Sequence, residues 1–272
     1  MGIKNLLKFI RPSLKKGSIY KFKNSIFGVD MYCFIYKCLC YEDPMRHLRL
    51  YLDRIIRISR HTFLVFDGRA PEAKIQEQKY RETTLEKYIE KNPEKKVVKI
   101  SAEFVKDIIR EFQSRPKVTV IKSPEESDSQ LAYMSLRNFI DVVITEDSDL
   151  IVYGCTKILF KLKPRGDCEI FSKESLEEFL PWDFKTFKWI CILAGCDYLR
   201  GGLRGIGFMK SKKIFTKNID SEEELFSTLK EKFNTPEEFF NNFKVAFKTF
   251  SHPWIYDYET DVCKRMNSKI IF

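Results

Sequence analysis

The sequence predicts an α/β fold, a mostly parallel central sheet flanked by helices. Short apolar, β-branched runs recur, and three of them stop at acids: Ser25-Ile26-Phe27-Gly28-Val29-Asp30, Thr62-Phe63-Leu64-Val65-Phe66-Asp67-Gly68 and Val142-Val143-Ile144-Thr145-Glu146-Asp147-Ser148-Asp149. Runs of this kind read as strands buried on both faces. Between them lie stretches with helical apolar spacing, such as Tyr32, Ile35, Tyr36 and Leu39. Strands alternating with helices indicate a parallel sheet with helices on both sides. At 272 residues the chain can build one large domain of this type or two small ones.

In order, Ile3, Leu6, Leu7 and Ile10 share a helical face, and the first strand follows at 25–30. The helix after it breaks at Pro44, and a second, rich in Leu, Ile and Arg, covers 45–60 before the strand at 62. Residues 72–115 change character: Lys, Arg and Glu crowd them and Gly is absent. Two helices are expected there, at 72–91 and 101–114, separated by Asn92-Pro93 and poor in large apolar residues, so the segment need not be ordered alone. Val118-Thr119-Val120-Ile121 is a third strand, and Ser123-Pro124-Glu125-Glu126 reads as a capping box with Pro in the first turn. The run at 142 is a fourth strand and the alternating Lys157–Leu162 a fifth. From 173 onward the pattern is mainly helical, with helices at 184–195, 209–217, 221–233 and 236–250.

Lys and Arg exceed Asp and Glu by ten, which favours a polyanionic partner. Eight cysteines form no CxxC pair and only three histidines exist, so a zinc site is not expected. Cys33, Cys38, Cys40, Cys191 and Cys196 lie in apolar segments and read as small buried residues of a reducing compartment. No apolar run reaches 18 residues, so no membrane span is expected. The N-terminus lacks a secretory apolar region, and Leu6 stands where myristoylation wants Ser or Thr.

Set in order, the acids are Asp30, Asp67, Glu126 with Asp128, Asp147 with Asp149, and Asp197. Most of them follow a predicted strand or open the next helix, which gathers them on the carboxyl rim of the sheet, where open α/β sheets bind ligands. Seven carboxylates together in a basic protein have few purely structural explanations. Two divalent cations would neutralise them and create a phosphodiester hydrolysis site.

These residues also carry a resemblance. Met1-Gly2-Ile3 with Leu6-Leu7, Val29-Asp30, Phe66-Asp67-Gly68, Glu126-Ser127-Asp128 with Gln130-Leu131-Ala132-Tyr133, Thr145-Glu146-Asp147-Ser148-Asp149, and Gly195-Cys196-Asp197-Tyr198 with Gly205-Ile206-Gly207 resemble the 5′ structure-specific nuclease family, in the right order from residue 1 to about 260. That family holds flap endonuclease, exonuclease 1 and the large repair and junction nucleases. The chain is most similar to the exonuclease 1 branch, through Asp30-Met31-Tyr32-Cys33, Cys191–Leu199 and Leu203-Arg204-Gly205-Ile206-Gly207.

The resemblance implies a single nuclease domain over 1–272. Its N-terminal region is 1–100, its helical arch insert about 72–115, its internal region 116–220 with a helix–two-turn–helix at about 195–217, and its C-terminal helical part 221–272. It implies two Mg²⁺ ions, replaceable by Mn²⁺, held directly or through water by Asp30, Asp67, Glu126, Asp128, Asp147, Asp149 and Asp197. Lys74 and Arg81, seven apart and so on one helical face, would stand over the scissile phosphate as catalytic residues. Gly2, Tyr36, Gly205, Gly207 and Lys210 would contact DNA, Tyr36 by stacking on the terminal base. A K⁺ is implied in the helix–two-turn–helix, but Arg200-Gly201-Gly202 stands where its serine is expected.

Local alternatives stand beside these roles. Glu126 completes a helix cap, Asp67 opens a turn, Asp30 caps the next helix, Tyr36 packs in the core, and Lys74 and Arg81 lie on a solvated face. Glu146 is left out of the ligand set, and Lys79 and Lys87 read as surface charges. The expected function is a Mg²⁺-dependent 5′→3′ exonuclease on double-stranded DNA with 5′-flap endonuclease activity. It would be a monomer of the nucleus, used in mismatch repair, recombination or end resection. Three other readings are a replication flap endonuclease, a catalytically silent DNA-binding scaffold and a ribonuclease with a similar sheet. The first usually carries a Gln-containing clamp motif, which Met266–Phe272 lacks.

Overall fold

A computed structural model describes residues 2–92 and 100–266; Met1, Pro93 of the expected helix break and the last residues, 267–272, lie outside the described residues. The apolar runs form one sheet from β1 (Lys15–Ser18), β2 (Ile26–Asp30), β3 (His61–Phe66), β4 (Val118–Lys122), β5 (Val142–Ile144), β6 (Lys157–Phe160) and β7 (Asp167–Ser172). The strand order is β1-β7-β6-β5-β2-β3-β4. Strands β2 to β6 are parallel, while β7 and β1 add an antiparallel edge. The central strands are covered on both faces, which is why their sequences are continuous apolar runs rather than alternations. Pairing of Val29 with Ile144 and of Asp30 with Val65 sets the carboxyl ends of β5, β2 and β3 side by side.

The helices are α1 (Leu6–Phe9), α2 (Met31–Cys38), α3 (Pro44–Ile58), α4 (Ile75–Lys91), α5 (Ala102–Gln113), α6 (Ser127–Leu136), α7 (Asp149–Val152), α8 (Lys173–Phe179), α9 (Phe184–Ala194), α10 (Phe208–Ile214), α11 (Glu222–Phe233) and α12 (Glu237–Ser251). Helices α2, α3 and α5 bury Phe34, Leu52, Ile55, Ile108 and Phe112 on one face of the sheet. On the other face, α6, α7 and α9 to α12 form the larger core around Leu131, Ile151, Phe187, Ile190 and Phe243. Starts are fixed by short polar side chains: Asp43 accepts from the Arg46 amide ahead of Pro44, and Asp183 accepts from the Thr186 amide.

Several expectations change. Ser123 caps nothing: α6 begins at Ser127, and the Ser123 hydroxyl donates instead to the Glu126 carbonyl. Strands β1 and β7 are absent from the sequence reading because Lys15-Lys16-Gly17-Ser18 and Asp167–Ser172 sit at the edge, where polar side chains replace an apolar pattern. The segment after 173 is not all helical: β8 (Trp254–Asp257) and β9 (Val262–Arg265) form a hairpin on α6, tied by Gln130 to the amide and carbonyl of Tyr256. Cys40 is exposed rather than buried. No helix among the described residues is long and apolar enough to cross a membrane.

The two helices of the charged segment differ in how they are held. α5 drives Ile108 and Phe112 into the core, while α4 buries no residue along its length. Phe112→Ala is expected to lower stability by about 3–5 kcal/mol, the cost of truncating a buried ring. Exposed Lys87→Ala should change it by less than about 0.5 kcal/mol, read from urea unfolding of both variants.

Candidate active site

The carboxyl rim of the sheet collects the acids. Asp30 closes β2, Asp67 follows β3, Asp147 follows β5, Asp149 opens α7, and Glu126 and Asp128 flank the first residue of α6. Asp197 comes from the turn after α9. Glu126 and Asp128 reach one cleft because the helix starts between them, before helical rotation separates their faces. A cavity of about 740 Å³ is lined by Asp30, Asp67, Glu126, Asp128 and Asp147, with Tyr36, Lys74 and Arg81 opposite.

Short polar residues wire the rim together. Thr145 donates its hydroxyl to Asp30 at 2.8 Å and accepts from the Asp147 amide at 2.9 Å. The Ser127 amide donates to Asp67 at 2.7 Å, so the acid of one strand serves the first turn of α6. Asp30 also caps α2 through the Cys33 amide, at 3.4 Å, so its capping role and its place in the cleft coexist. The Asp149 amide donates to Asp147 at 3.0 Å. Tyr198 donates to Glu126 and meets Tyr153 at 2.7 Å. Thr145, Ser127 and Tyr198 were missed as site residues; the one sequence signal was a hydroxyl or phenol beside each acidic motif.

The electrostatics are dominated by burial. Asp128 and Asp149 are held well above the ordinary carboxylate range by burial and then by Asp147. Asp30 is pushed up to about 6, by burial and then by Asp67, and burial also raises Asp147. Glu126 is raised by burial against the pull of Lys74. At an effective dielectric near 20, two carboxylates about 4 Å apart repel by about 4 kcal/mol. One such pair is a large share of the ~5–15 kcal/mol by which a protein is stable, so the cluster needs cations.

Two come from the start of the charged segment, Lys74 in the turn before α4 and Arg81 on α4. Lys74 binds Glu126 and lies 3.1 Å from Asp197 Oδ2, an ion pair without hydrogen-bond alignment. Arg81 donates to Asp197 at 2.7 Å and to Glu77 at 2.9 Å. Burial works against the charge of Lys74, but Glu126 and Asp197 override it and its pKa is raised. Both residues therefore face the acids rather than a solvated surface.

The acids fit a divalent cation by chemistry. Hard cations prefer all-oxygen sets, and buried Asp128 Oδ1 and Asp149 Oδ1 have no hydrogen-bond partner among the described residues. No three His, Cys, Asp or Glu side chains among the described residues already surround one point at ligand distance; Lys74 stands among them. Glu146 is elsewhere, paired with Lys37 at 2.8 Å. Tyr36 is 55% exposed, which leaves its ring in the cleft mouth and not in the core.

Gly2 touches the site from the N-terminus. With φ of +88° and Asp147 Oδ1 and Ser148 Oγ where a Cβ would stand, only glycine fits. The Ile3 amide donates to Ser148 at 3.0 Å. Gly205, Gly207 and Lys210 lie apart, in a cleft of about 410 Å³ or, for Lys210, at its side. Lys4 and Arg204 share that cleft and were missed, since single basic residues carry no pattern. The helix there, α10, spans 208–214, shorter than expected.

The chain is similar to known proteins in sequence and in fold. Residues 1–87 match the XPG N-terminal domain and residues 117–197 the XPG I-region. Exonuclease 1 of Danio rerio is 28% identical over 94% of this chain and 36% of its own length, and that of Xenopus laevis 29% over 94% and 39%. Exodeoxyribonuclease 1 of Saccharomyces cerevisiae is 27% identical over 92% and 40%. The chain thus spans about two fifths of the length of these relatives. Among solved structures, the catalytic core of Rad2 in complex with DNA substrate superposes with a TM-score of 0.69 at 21% identity, covering 98% of this chain and 90% of its own. The Holliday junction-resolving enzyme GEN1 in complex with product DNA and Mg²⁺ does so at 0.67 and 21%, covering 95% and 66%. The two matched regions together span more than half of the sequence, and the chain belongs to the XPG family.

Proposed function

We propose that this chain is a divalent-metal-dependent 5′→3′ exonuclease on double-stranded DNA that also cuts 5′ flaps. The observation that carries the reading is the rim of seven carboxylates, with Lys74 reaching into it from the turn before α4 and Arg81 from α4. A pair of Mg²⁺ or Mn²⁺ ions, when bound, supplies an activated water and stabilisation of the leaving oxygen. Asp30, Asp67, Glu126, Asp128, Asp147, Asp149 and Asp197 would hold them, directly or through water. Lys74 and Arg81 exchange carboxylate partners for the oxygens of the scissile phosphate and stabilise the charge that develops there. Tyr36 offers an exposed ring to the terminal base. The cleft with Lys4, Arg204, Gly205 and Gly207, beside Lys210, grips backbone phosphates of the duplex. A K⁺ in the neighbouring loop would rest on backbone carbonyls, since Arg200-Gly201-Gly202 offers no serine. Relatives named exonuclease 1 from animals and exodeoxyribonuclease 1 from yeast support the exonuclease reading; the reading extends to a role in DNA repair and recombination in the nucleus, by a monomer with one nuclease domain over 1–272.

Two measurements test this. On a duplex labelled at the 3′ end of one strand with a recessed 5′ end, the protein in Mg²⁺ should yield a 5′→3′ ladder that EDTA and Asp147→Ala abolish. Lys74→Ala should lose about 10²–10³ in kcat, the usual loss for one preorganised electrostatic group. A single cut at the base of a 5′ flap without a ladder indicates a flap endonuclease instead. Binding without cleavage would leave only a DNA-binding scaffold.

The second is thermal. Asp30 titrates near 6 in the folded chain against about 3.9 unfolded. With its folded value raised, its contribution to stability is complete below about pH 4 and lost as pH rises through 6. Melting in EDTA should therefore lose stability from this group over that window, and Mg²⁺ should raise the Tm at pH 7.5 more than at pH 5. An equal Mg²⁺ shift at both pH values contradicts a carboxylate metal site.

A further inference from the structure

A cleft of about 330 Å³ adjoins the catalytic one, and Arg69 and Ala70 line both. Its cations come from three distant parts of the chain: Arg69 after β3, Lys248 on α12 and Arg265 at the end of β9. All three are exposed, and none pairs with a carboxylate among the described residues, where many other surface cations do. Arg265 is pre-set, its guanidinium 4.8 Å from the Trp254 ring centroid and its Nη1 donating to the His252 carbonyl at 2.8 Å. Of the two acids in the lining, Glu125 is buried and anchored to the Trp254 amide at 3.0 Å, which leaves Glu72 as the exposed negative charge. The 53%-exposed Val245 adds apolar surface to the lining, where Pro71 is buried.

Unpaired cations beside exposed apolar surface suit a single nucleic-acid strand, whose phosphates and bases alternate. We propose that this cleft binds backbone phosphates of the unpaired 5′ strand as it leaves the catalytic rim past Arg69. The inference rests on the nuclease reading and adds a path for the displaced strand. Its partner is a single-stranded polyanion; an acidic protein segment is the competing occupant.

The test uses the full chain carrying Lys248→Ala and Arg265→Gln, singly and together, neither residue belonging to the catalytic rim. Binding is measured in EDTA by fluorescence anisotropy against salt, on a duplex with a 5′ flap and on the same duplex without one. Each phosphate contact to a single strand contributes about 0.7 to the slope of log K against log salt. The double variant should therefore lower the slope by about 1.4 on the flap substrate and leave the flapless duplex unchanged. Lys248→Ala, on an exposed helical position, keeps the test valid if the double variant folds poorly, with half that change expected. Equal losses on both substrates, or no loss on either, overturn the proposal, the latter also pointing to a protein occupant. Because binding is read without metal, a failure of the nuclease reading shows separately, as absent cleavage in Mg²⁺ by the unmutated chain.

Discussion

Mutual repulsion among buried carboxylates governs this molecule. Five of the seven acids are raised by burial, which opposes charge on each of them. A protein places such a group on one rim only if opposite charge can be brought there. Without divalent cations that charge comes from Lys74 and Arg81, both near the base of α4. Since α4 buries no residue, these ion pairs, with Arg200 pairing Glu77 at 3.3 Å and lying over the Tyr80 ring, hold it over the cleft. The charge that balances the acids and the element that covers them are thus one structure.

The sheet makes the rest possible. Parallel strands β5, β2 and β3 end at one edge, so an acid after each arrives at the same place without a long loop. The hydroxyls of Thr145, Ser127 and Ser148 then take up hydrogen bonds that would otherwise be lost at this crowded edge, each tying one segment to the next. Tyr153 and Tyr198 extend the network beneath Glu126. The glycine at position 2 lets the N-terminus lie against Asp147, and Lys4 carries the chain on to the Gly205 cleft. The acidic rim and the Gly205 cleft are linked within three residues.

Much of this was legible because it rests on period and punctuation. Apolar runs that end in Asp identify β2, β3 and β5, and the acids they carry converge as their positions imply. The charged segment gave its two helices by composition. What escaped depends on pairings between distant residues. Lys15-Lys16-Gly17-Ser18 has no strand pattern, and its pairing with β7 is visible only once both edges are adjacent. The hairpin at 254–265 is fixed by Gln130 on α6, more than a hundred residues away. Ser123 looked like a cap by spacing alone, but Asp67 supplies the first turn of α6 from another strand. Thr145 read as one more β-branched residue, and its bridging of Asp30 to Asp147 is a property of three dimensions.

The most direct measurement is the affinity of the metal-free protein for Mn²⁺, by calorimetry, with and without Lys74→Gln. If Lys74 balances the acids in the absence of metal, the variant should bind Mn²⁺ more tightly and melt at lower temperature in EDTA. Unchanged affinity together with an unchanged melting temperature would contradict the account, because Lys74 would then not be balancing the rim.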